Sequence, residues 1–402
     1  MHEIAAIVGS LLTASAALYA LCAAVVMRRA RRALAPDQAL QPPSPPVTIL
    51  KALCGAEPGL RAQLRSFCGQ NYPVFQVVFG VRDAADPALQ VVQELRAEFP
   101  GLDCTVVVDP TLHGCNNKVS NLLNMLPRAC HPLLVMADSD VIAPPDYLRR
   151  IVAPLADPGV GLVTCAYFGR PVTAPASAHG AALPALPAPP AAPPRLTSRL
   201  GAMFINEWFM PAVLLAARFG SRSFVSGATI AMRAEVLAAI GGLTPLADQL
   251  ADDYRLGERV RRHGWRIVLS DVAVETTVSE PGLRALCRHE LRWLRTIQSA
   301  QPLGYACCFP SLALPTALVG AALAGFHAVA LALLGITAAA RLVLHYFAGA
   351  DDLRQRRTDV ALVPLRDALL AVLWVWSFRR REVVWREQRF GIGADGSLRR
   401  VG

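Results

Sequence analysis

Residues 133–140 read LLVMADSD, five apolar residues followed at once by two carboxylates, Asp138 and Asp140. An apolar run that short, ended by turn formers, reads as one buried strand. Comparable β-branched runs stand at residues 47–53, 74–81 and 104–109, with helical patterns at 87–98 and 118–126 among them. Strands alternating with helices build a largely parallel sheet, so the fold class is α/β. Ligands bind such sheets outside the carboxyl ends of the strands, which directs attention to acids that directly follow a strand. Asp138 and Asp140 do so, and so do Asp83 and Asp86 in VRDAADPAL.

Outward from this region the chain turns apolar. Its 402 residues are 53% hydrophobic with a mean hydropathy of +0.37, high for a water-soluble protein. Residues 5–27 carry no charge and are long enough to cross a hydrocarbon core of about 30 Å. Arg28, Arg29, Arg31 and Arg32 follow, so the positive-inside rule puts the next domain in the cytoplasm. Residues 1–32 therefore read as an anchor, because the run meets arginines instead of a small-residue cleavage site. Residues 33–46, with Pro42, Pro43, Pro45 and Pro46, read as a linker, and 47–300 as the main domain. Within it, residues 171–195 are mostly Ala and Pro and read as an insertion that buries no core. Residues 208–219 are apolar but short for a span, which suits a membrane interface or a core.

Residues 301–378 return to membrane character. Residues 308–324 and 328–345 read as two spans about a turn at Gly325, Phe326 and His327. Residues 360–378 read equally as a third span or an interfacial helix. They carry Arg366 and Asp367, each costing about 2.5 to 3.5 kcal/mol at mid-membrane without a partner. A third crossing would also leave the basic tail, residues 379–402, outside. The net charge of +10 comes almost wholly from arginine, only two of the 40 basic residues being lysine. Arginines beside apolar runs suit an anionic bilayer surface better than nucleic acid. The ten cysteines show no CxxC pair and no zinc spacing, and read as thiols of a reducing compartment.

Each motif has a bland and a chemical reading. Carboxylates at i and i+2 after a strand suit Mg2+ or Mn2+, hard cations that keep waters and phosphate oxygens as their other ligands. Acids in turns are also common caps. Asp86 before Pro87 reads as such a cap, or with Asp83 as part of a nucleotide pocket. Asp252 and Asp253 in LADDYRLGERVRRHGW complement a helix dipole, or one of them is a general base. RHELRWLRTIQ, with His289, Arg292 and Trp293, is a basic amphipathic helix, or one whose arginine holds a departing diphosphate while the tryptophan shapes an acceptor pocket. Lys118 in CNNKVSNL stands out in a chain that otherwise uses arginine, and a compact ammonium suits a phosphate or a carboxylate.

Taken in order, ILKALCGAEPGL, VRDAADPAL, NNKVSNL, ADSD, ADDYRLGERVRRHGWR and the Arg292-Trp293 pair resemble the ceramide glucosyltransferase family, family 21 of the glycosyltransferases, over about residues 47–296. The resemblance implies a GT-A type fold, a Rossmann-like mixed and mostly parallel sheet, with an N-terminal transmembrane anchor and C-terminal transmembrane helices. It implies a UDP-sugar donor, a divalent metal and a membrane lipid acceptor, with inversion at the anomeric carbon. It carries the first aspartate motif to Asp86 with Asp83 beside it, the second to Asp138, and the third, the general base, to Asp253. Asp138 and Asp140 would hold the metal, and Asp83, Asp86, Lys118 and Asp138 the nucleotide sugar. Asp253, Arg292, Trp293 and His289 would serve catalysis, His289 standing where the family has Gln or Arg.

The chain also looks like hopanoid-biosynthesis glycosyltransferases, which add N-acetylglucosamine to a hopanoid polyol, and its Ala- and Arg-rich composition fits a bacterium. The implied setting is a multi-pass protein of the inner membrane with its catalytic domain in the cytoplasm. A hopanoid is then the first expected acceptor and ceramide the second, with downstream lipid-modifying enzymes as further partners. A processive polysaccharide synthase has a similar motif set but threads its product through the bilayer, for which three or four spans are few. A non-catalytic scaffold is the last alternative, and the intact acids count against it.

Overall fold

The computed structural model describes residues 2–33, 44–172, 194–220, 225–348, 353–385 and 388–401. Most of the expected linker and of the Ala/Pro insertion lies outside these residues. Among the described residues eight strands form one sheet. They are β1 Val47–Ala52, β2 Phe75–Val81, β3 Asp103–Val108, β4 Leu133–Ala137, β5 Val141–Ile142, β6 Val160–Pro171, β7 Thr229–Arg233 and β8 Arg266–Val278. Their order is β3-β2-β1-β4-β7-β6-β8-β5. β1 pairs in parallel with β2 and β4, β2 with β3, and β6 with β8. β7 runs antiparallel to β4 and β6, and β5 antiparallel to β8. The sheet is mixed and mostly parallel, as expected.

β1, β2 and β4 are nearly continuous apolar runs because helices cover both faces of the sheet. Helices Leu60–Cys68 and Ala88–Glu98 set Leu64, Phe67, Val92 and Leu95 against Ile49, Val77 and Phe79 on one face. Helix Asn117–Met125 sets Val119, Leu122 and Met125 against Leu50, Val78 and Met136 on the other. This last approach is close: a Cβ on Gly80 of β2 would overlap Met125 Sδ and Asn121 Oδ1. Asn121 Nδ2 fastens the helix by donating to the Gly80 carbonyl at 2.8 Å. The chain winds outward from β1 to β3 and returns on the other side of β1 as β4. That switch point between β1 and β4 is where a crevice opens at the carboxyl ends.

Among the described residues four helices are long and apolar enough to cross a membrane: His2–Ala30, Leu196–Arg218, Ala328–Ala348 and Gln355–Ser377. The first packs on Ala313–Leu323 and Ala328–Ala348. Small residues allow this, since a Cβ on Gly9 would overlap the Gly320 carbonyl oxygen. The turn between the last two helices places Gly325 and Phe326 at φ of 67° and 51°. One expectation is corrected here. The segment 308–324 is not one long helix, because Pro310, which has no N–H, sits in a 3-10 turn over Phe309–Ser311 and the helix starts only at Ala313. Its 11 residues cover roughly 16 Å, about half a hydrocarbon core.

Residues 208–218 form the second half of the longer helix Leu196–Arg218, buried over most of its length, which favours the core over the interface reading. Ser198, Arg199 and Gly201 interrupt its first half as an apolar run. Gln355–Ser377 touches the domain of the eight-stranded sheet through Asp359 with Arg199 and Arg366 with Glu290, and the segment after that domain through Ser377 with Tyr305. The segment expected as a basic tail is folded. β9 Glu382–Trp385, β10 Gln388–Ile392 and β11 Leu398–Arg400 form an antiparallel sheet, because Val383, Phe390 and Leu398 share a small core with Leu250. Leu398 N donates to Asp248 O at 2.6 Å and Leu250 N to Gly396 O at 3.1 Å, so this sheet grips the loop that precedes Asp252 and Asp253.

Candidate active site

A cleft of about 2080 Å³ opens at the switch point. Asp83, Asp86, Lys118, Asp138, Asp140 and Asp253 line it from the sheet side, and His289, Arg292 and Trp293 from the other. All the residues singled out in the sequence therefore meet in one place.

The sheet side is held mainly by backbone groups. Both Asp86 oxygens accept from Gly55 N at 3.0 Å, and Oδ1 also accepts from Ala88 N at 2.9 Å. Asp86 thus ties the loop after β1 to a helix start, which makes its capping and site readings compatible. Asp83 Oδ1 accepts from Ala85 N at 2.9 Å. Asp138 N donates to Ala228 O at 3.0 Å, which fixes the end of β4 against the approach to β7. Asn116 caps helix Asn117–Met125 by accepting from Val119 N at 3.1 Å. Its Nδ2 donates to Gln249 O at 2.9 Å and lies 3.4 Å from Asp252 Oδ1.

Lys118, the second residue of that helix, sets Nζ 2.6 Å from Asp138 Oδ1 and 4.0 Å from Asp252 Oδ2. Burial works to discharge this ammonium, but Asp138, Asp252 and Asp253 outweigh it and raise its pKa. Asp140 accepts from Thr276 Oγ1 at 2.7 Å, and burial together with Asp138 raises its carboxyl above the usual range. Burial and the adjacent Asp252 push Asp253 up to about 7, near where a general base works best at neutral pH. Asp253 Oδ1 accepts from Tyr254 N at 2.7 Å. A Cβ on Gly227 would lie 2.6 Å from its Oδ2, so glycine there leaves room for the carboxylate.

Lys51 escaped the sequence reading. It is fully buried beneath the acids, donates to Asp138 O at 2.5 Å, and lies 3.7 Å from the centre of the Phe67 ring. Burial lowers its pKa to about 7. Its signal was the rarity that drew attention to Lys118, a lysine inside the apolar strand VTILKA.

The opposite side is carried by helix Leu283–Ala300. Trp293 meets Tyr167, Phe204 and Phe209 edge-on at ring distances of 6.2, 5.8 and 5.5 Å. His289 sets Nδ1 2.5 Å from Glu280 Oε1 and its ring 5.6 Å from Trp293. Arg292 lies over the Trp385 ring at 5.5 Å. Burial lowers the Arg292 pKa while Asp138, Asp252 and Asp140 across the cleft pull the other way. Trp385 is a second residue missed, because nothing local in the tail marks it. Among the described residues one set of His, Cys and carboxylate groups brings three ligand atoms within 4.8 Å, Asp103, Cys130 and His131. It lies at the opposite, amino ends of β3 and β4.

The family profile for glycosyl transferase family 21 matches residues 10–186 and 186–398. The chain belongs to this family. Ceramide glucosyltransferase 3 of Caenorhabditis elegans is 22% identical to the family 21 chain over 280 residues, 66% of this chain and 55% of that relative. Ceramide glucosyltransferase of Candida albicans is 31% identical over 121 residues, 27% of this chain and 22% of that relative. The chain thus spans about half or less of the length of these curated relatives. The solved mannosyltransferase PcManGT from Pyrobaculum calidifontis, in complex with GDP-Man and Mn2+, matches with a TM-score of 0.51 at 21% identity, covering 94% of this chain and 99% of that one. This likeness is one of fold, and the fold is the GT-A type expected from the sequence.

Proposed function

We propose that this family 21 chain transfers one sugar from a UDP-sugar to a hydroxyl of a membrane lipid, with inversion at the anomeric carbon. The observation that carries the reading is the pairing of walls in one cleft: acids with Asp253 near 7 on one side, and on the other an arginine and an aromatic cluster continuous with apolar helices.

Asp138 and Asp140 fit a hard divalent cation, Mg2+ or Mn2+. Four acids, Asp138, Asp140, Asp252 and Asp253, gather there against two lysines, Lys118 beside them and Lys51 beneath, and burial strains the charge on Asp140 and Asp253. When bound, such an ion would neutralise charge on the departing diphosphate. Asp253 takes the proton of the acceptor hydroxyl as it attacks. Arg292 faces the diphosphate with a guanidinium suited to phosphate oxygens. Lys118 orients Asp138 through their ion pair. Asp83 and Asp86 shape the nucleotide pocket, and Trp293, with His289 at its edge, shapes the acceptor pocket.

A hopanoid polyol is the first acceptor and ceramide the second, since each carries a hydroxyl on an apolar body, and the first donors are UDP-N-acetylglucosamine and UDP-glucose. Arg28 and its neighbours favour a cytoplasmic catalytic domain. The contacts of Gln355–Ser377 with that domain and the segment after it favour its interfacial reading and leave the C-terminal sheet beside the cleft. The test uses full-length protein in detergent with Mg2+ or Mn2+, each donor and each lipid, following UDP release and glycolipid mass. A one-sugar product is expected. Absence of turnover with every lipid would overturn the reading, and a ladder of product lengths would favour a processive synthase.

A further inference from the structure

Two neighbouring charges on an apolar helix remain without a role in this chemistry. Adjacent helical residues point about 100° apart, so Arg366 and Asp367 reach different partners. Arg366, 2% exposed, directs Nη1 and Nη2 to the two oxygens of Glu290 at 2.6 and 2.7 Å. Its guanidinium also lies 5.6 Å from the Phe204 ring, and Phe204 is one of the rings against Trp293. Glu290 sits on helix Leu283–Ala300, two residues before Arg292.

Asp367 turns to the other side. Its carboxylate accepts from Arg341 Nε at 3.1 and 3.0 Å and from Nη2 at 2.8 Å. Arg341 Nη1 lies 2.7 Å from Glu207 Oε2, and Glu207 Oε1 lies 2.7 Å from His345 Nδ1. Glu207 belongs to a single π-helical turn, Ile205–Phe209, in which Ile205, Trp208 and Phe209 line the cleft. Such turns widen a helix locally and recur at functional sites. Asn206 of the same turn clasps β6, donating to Gly169 O at 2.9 Å and accepting from Gly169 N at 2.7 Å.

We infer that Arg366 and Asp367 are positioning residues, a two-sided clamp that sets the Arg292-Trp293 helix and the π turn at a fixed spacing across the acceptor end of the cleft. The inference rests on the proposed transfer reaction. Apolar helices packed through Leu and Ala slide at little cost, whereas a forked guanidinium–carboxylate pair admits one geometry. Buried ion pairs add little stability over apolar residues of the same volume, so a role in geometry accounts for them better than one in stability.

The test compares Arg366→Met and Glu290→Gln with Arg199→Met. Arg199 forms an ion pair with Asp359 near the start of the same helix, away from the arginine and tryptophan. In the full-length protein, Arg366→Met and Glu290→Gln should each lower kcat at least tenfold with the donor KM within twofold, while Arg199→Met leaves kcat within twofold. Hydrogen exchange supplies a readout without turnover: amides of 283–300 should exchange faster in Arg366→Met and Glu290→Gln, and not in Arg199→Met. Equal losses of kcat in all three variants would show a general stability effect and overturn the clamp, as would unchanged exchange at 283–300. Should Arg366→Met not fold, Glu290→Gln, which keeps the side-chain shape, gives the same readings. If wild type transfers sugar to no acceptor, the functional reading fails, and the exchange data alone decide the clamp.

Discussion

The acidic wall of the cleft hangs mainly from the sheet, whereas the aromatic wall is carried mainly by helices, with Tyr167 of β6 meeting Trp293 from the sheet. On the acidic side the fixings are short and mostly run through the backbone: Asp86 to Gly55 N, Asp138 N to Ala228 O, Asn116 to Val119 N and Gln249 O. On the aromatic side Trp293 meets the rings of Phe204 and Phe209, and the helices are tied by side-chain ion pairs such as Glu290 with Arg366. Backbone fixings tolerate change in surrounding side chains, while ring-to-ring and ion-pair fixings change with each substitution. Under the proposed reaction, the contrast gives the bond-making chemistry to the first wall and the choice of acceptor to the second.

The largest expected effect tests the first half of that division. Asp253→Asn should lower kcat by about 10³-fold with every acceptor, within the range for loss of a general base, as measured by UDP release. A loss that varied with the lipid would break the division. In wild type the base must be ionised, and with Asp253 raised to about 7 the rate should climb about tenfold per pH unit below 7 and level above it. Asp253→Asn should flatten that limb. A carboxyl raised in the folded state contributes stability below its unfolded pKa and loses it as pH rises through 7, so Asp253→Asn should also raise the thermal midpoint at pH 8.

Next in size is the metal. Chelation should reduce turnover at least about 10²-fold, with recovery on adding Mn2+ or Mg2+, and Asp140→Asn should lower turnover by a similar factor at saturating metal. Turnover insensitive to chelation would show that Lys118 and Arg292 suffice on this wall.

The two walls were also unequally legible in the sequence. β1, β2 and β4 were clear because strands buried on both faces are nearly unbroken apolar runs, and acids following β2 and β4 can be found by eye. β7 is five residues, TIAMR, and β6 contains Gly161, Gly169 and Pro171, so neither offers the usual pattern. Lys51 could have been found from its rarity. Trp385 could not, since its approach to Arg292 depends on a tertiary fold that returns the C-terminal sheet to the cleft. His289 was read from its place in a motif, and its engagement with Glu280 required the structure.

A smaller effect tests the aromatic wall. Phe209→Ala should raise the KM for the lipid about tenfold, consistent with loss of a ring contact worth about 0.5–1.5 kcal/mol beyond its apolar area. Donor hydrolysis without lipid should stay within twofold of wild type. If hydrolysis fell together with acceptor binding, the two walls would be one unit.

The smallest expected effect sharpens the comparison most. Asn116→Ala removes a helix cap, a change that costs about 1 kcal/mol, and leaves Gln249 O without its donor. Denaturant unfolding should register that loss directly. Asn116 reaches toward Asp252 and stands two residues before Lys118, so a wall fixed at many backbone points should absorb the substitution and lose less than threefold in kcat. The lipid KM should not move, because no aromatic residue of the opposite wall depends on this cap. A shift in lipid KM from Asn116→Ala would mean that the sheet side transmits its geometry across the cleft, and that acceptor choice is set by both walls together.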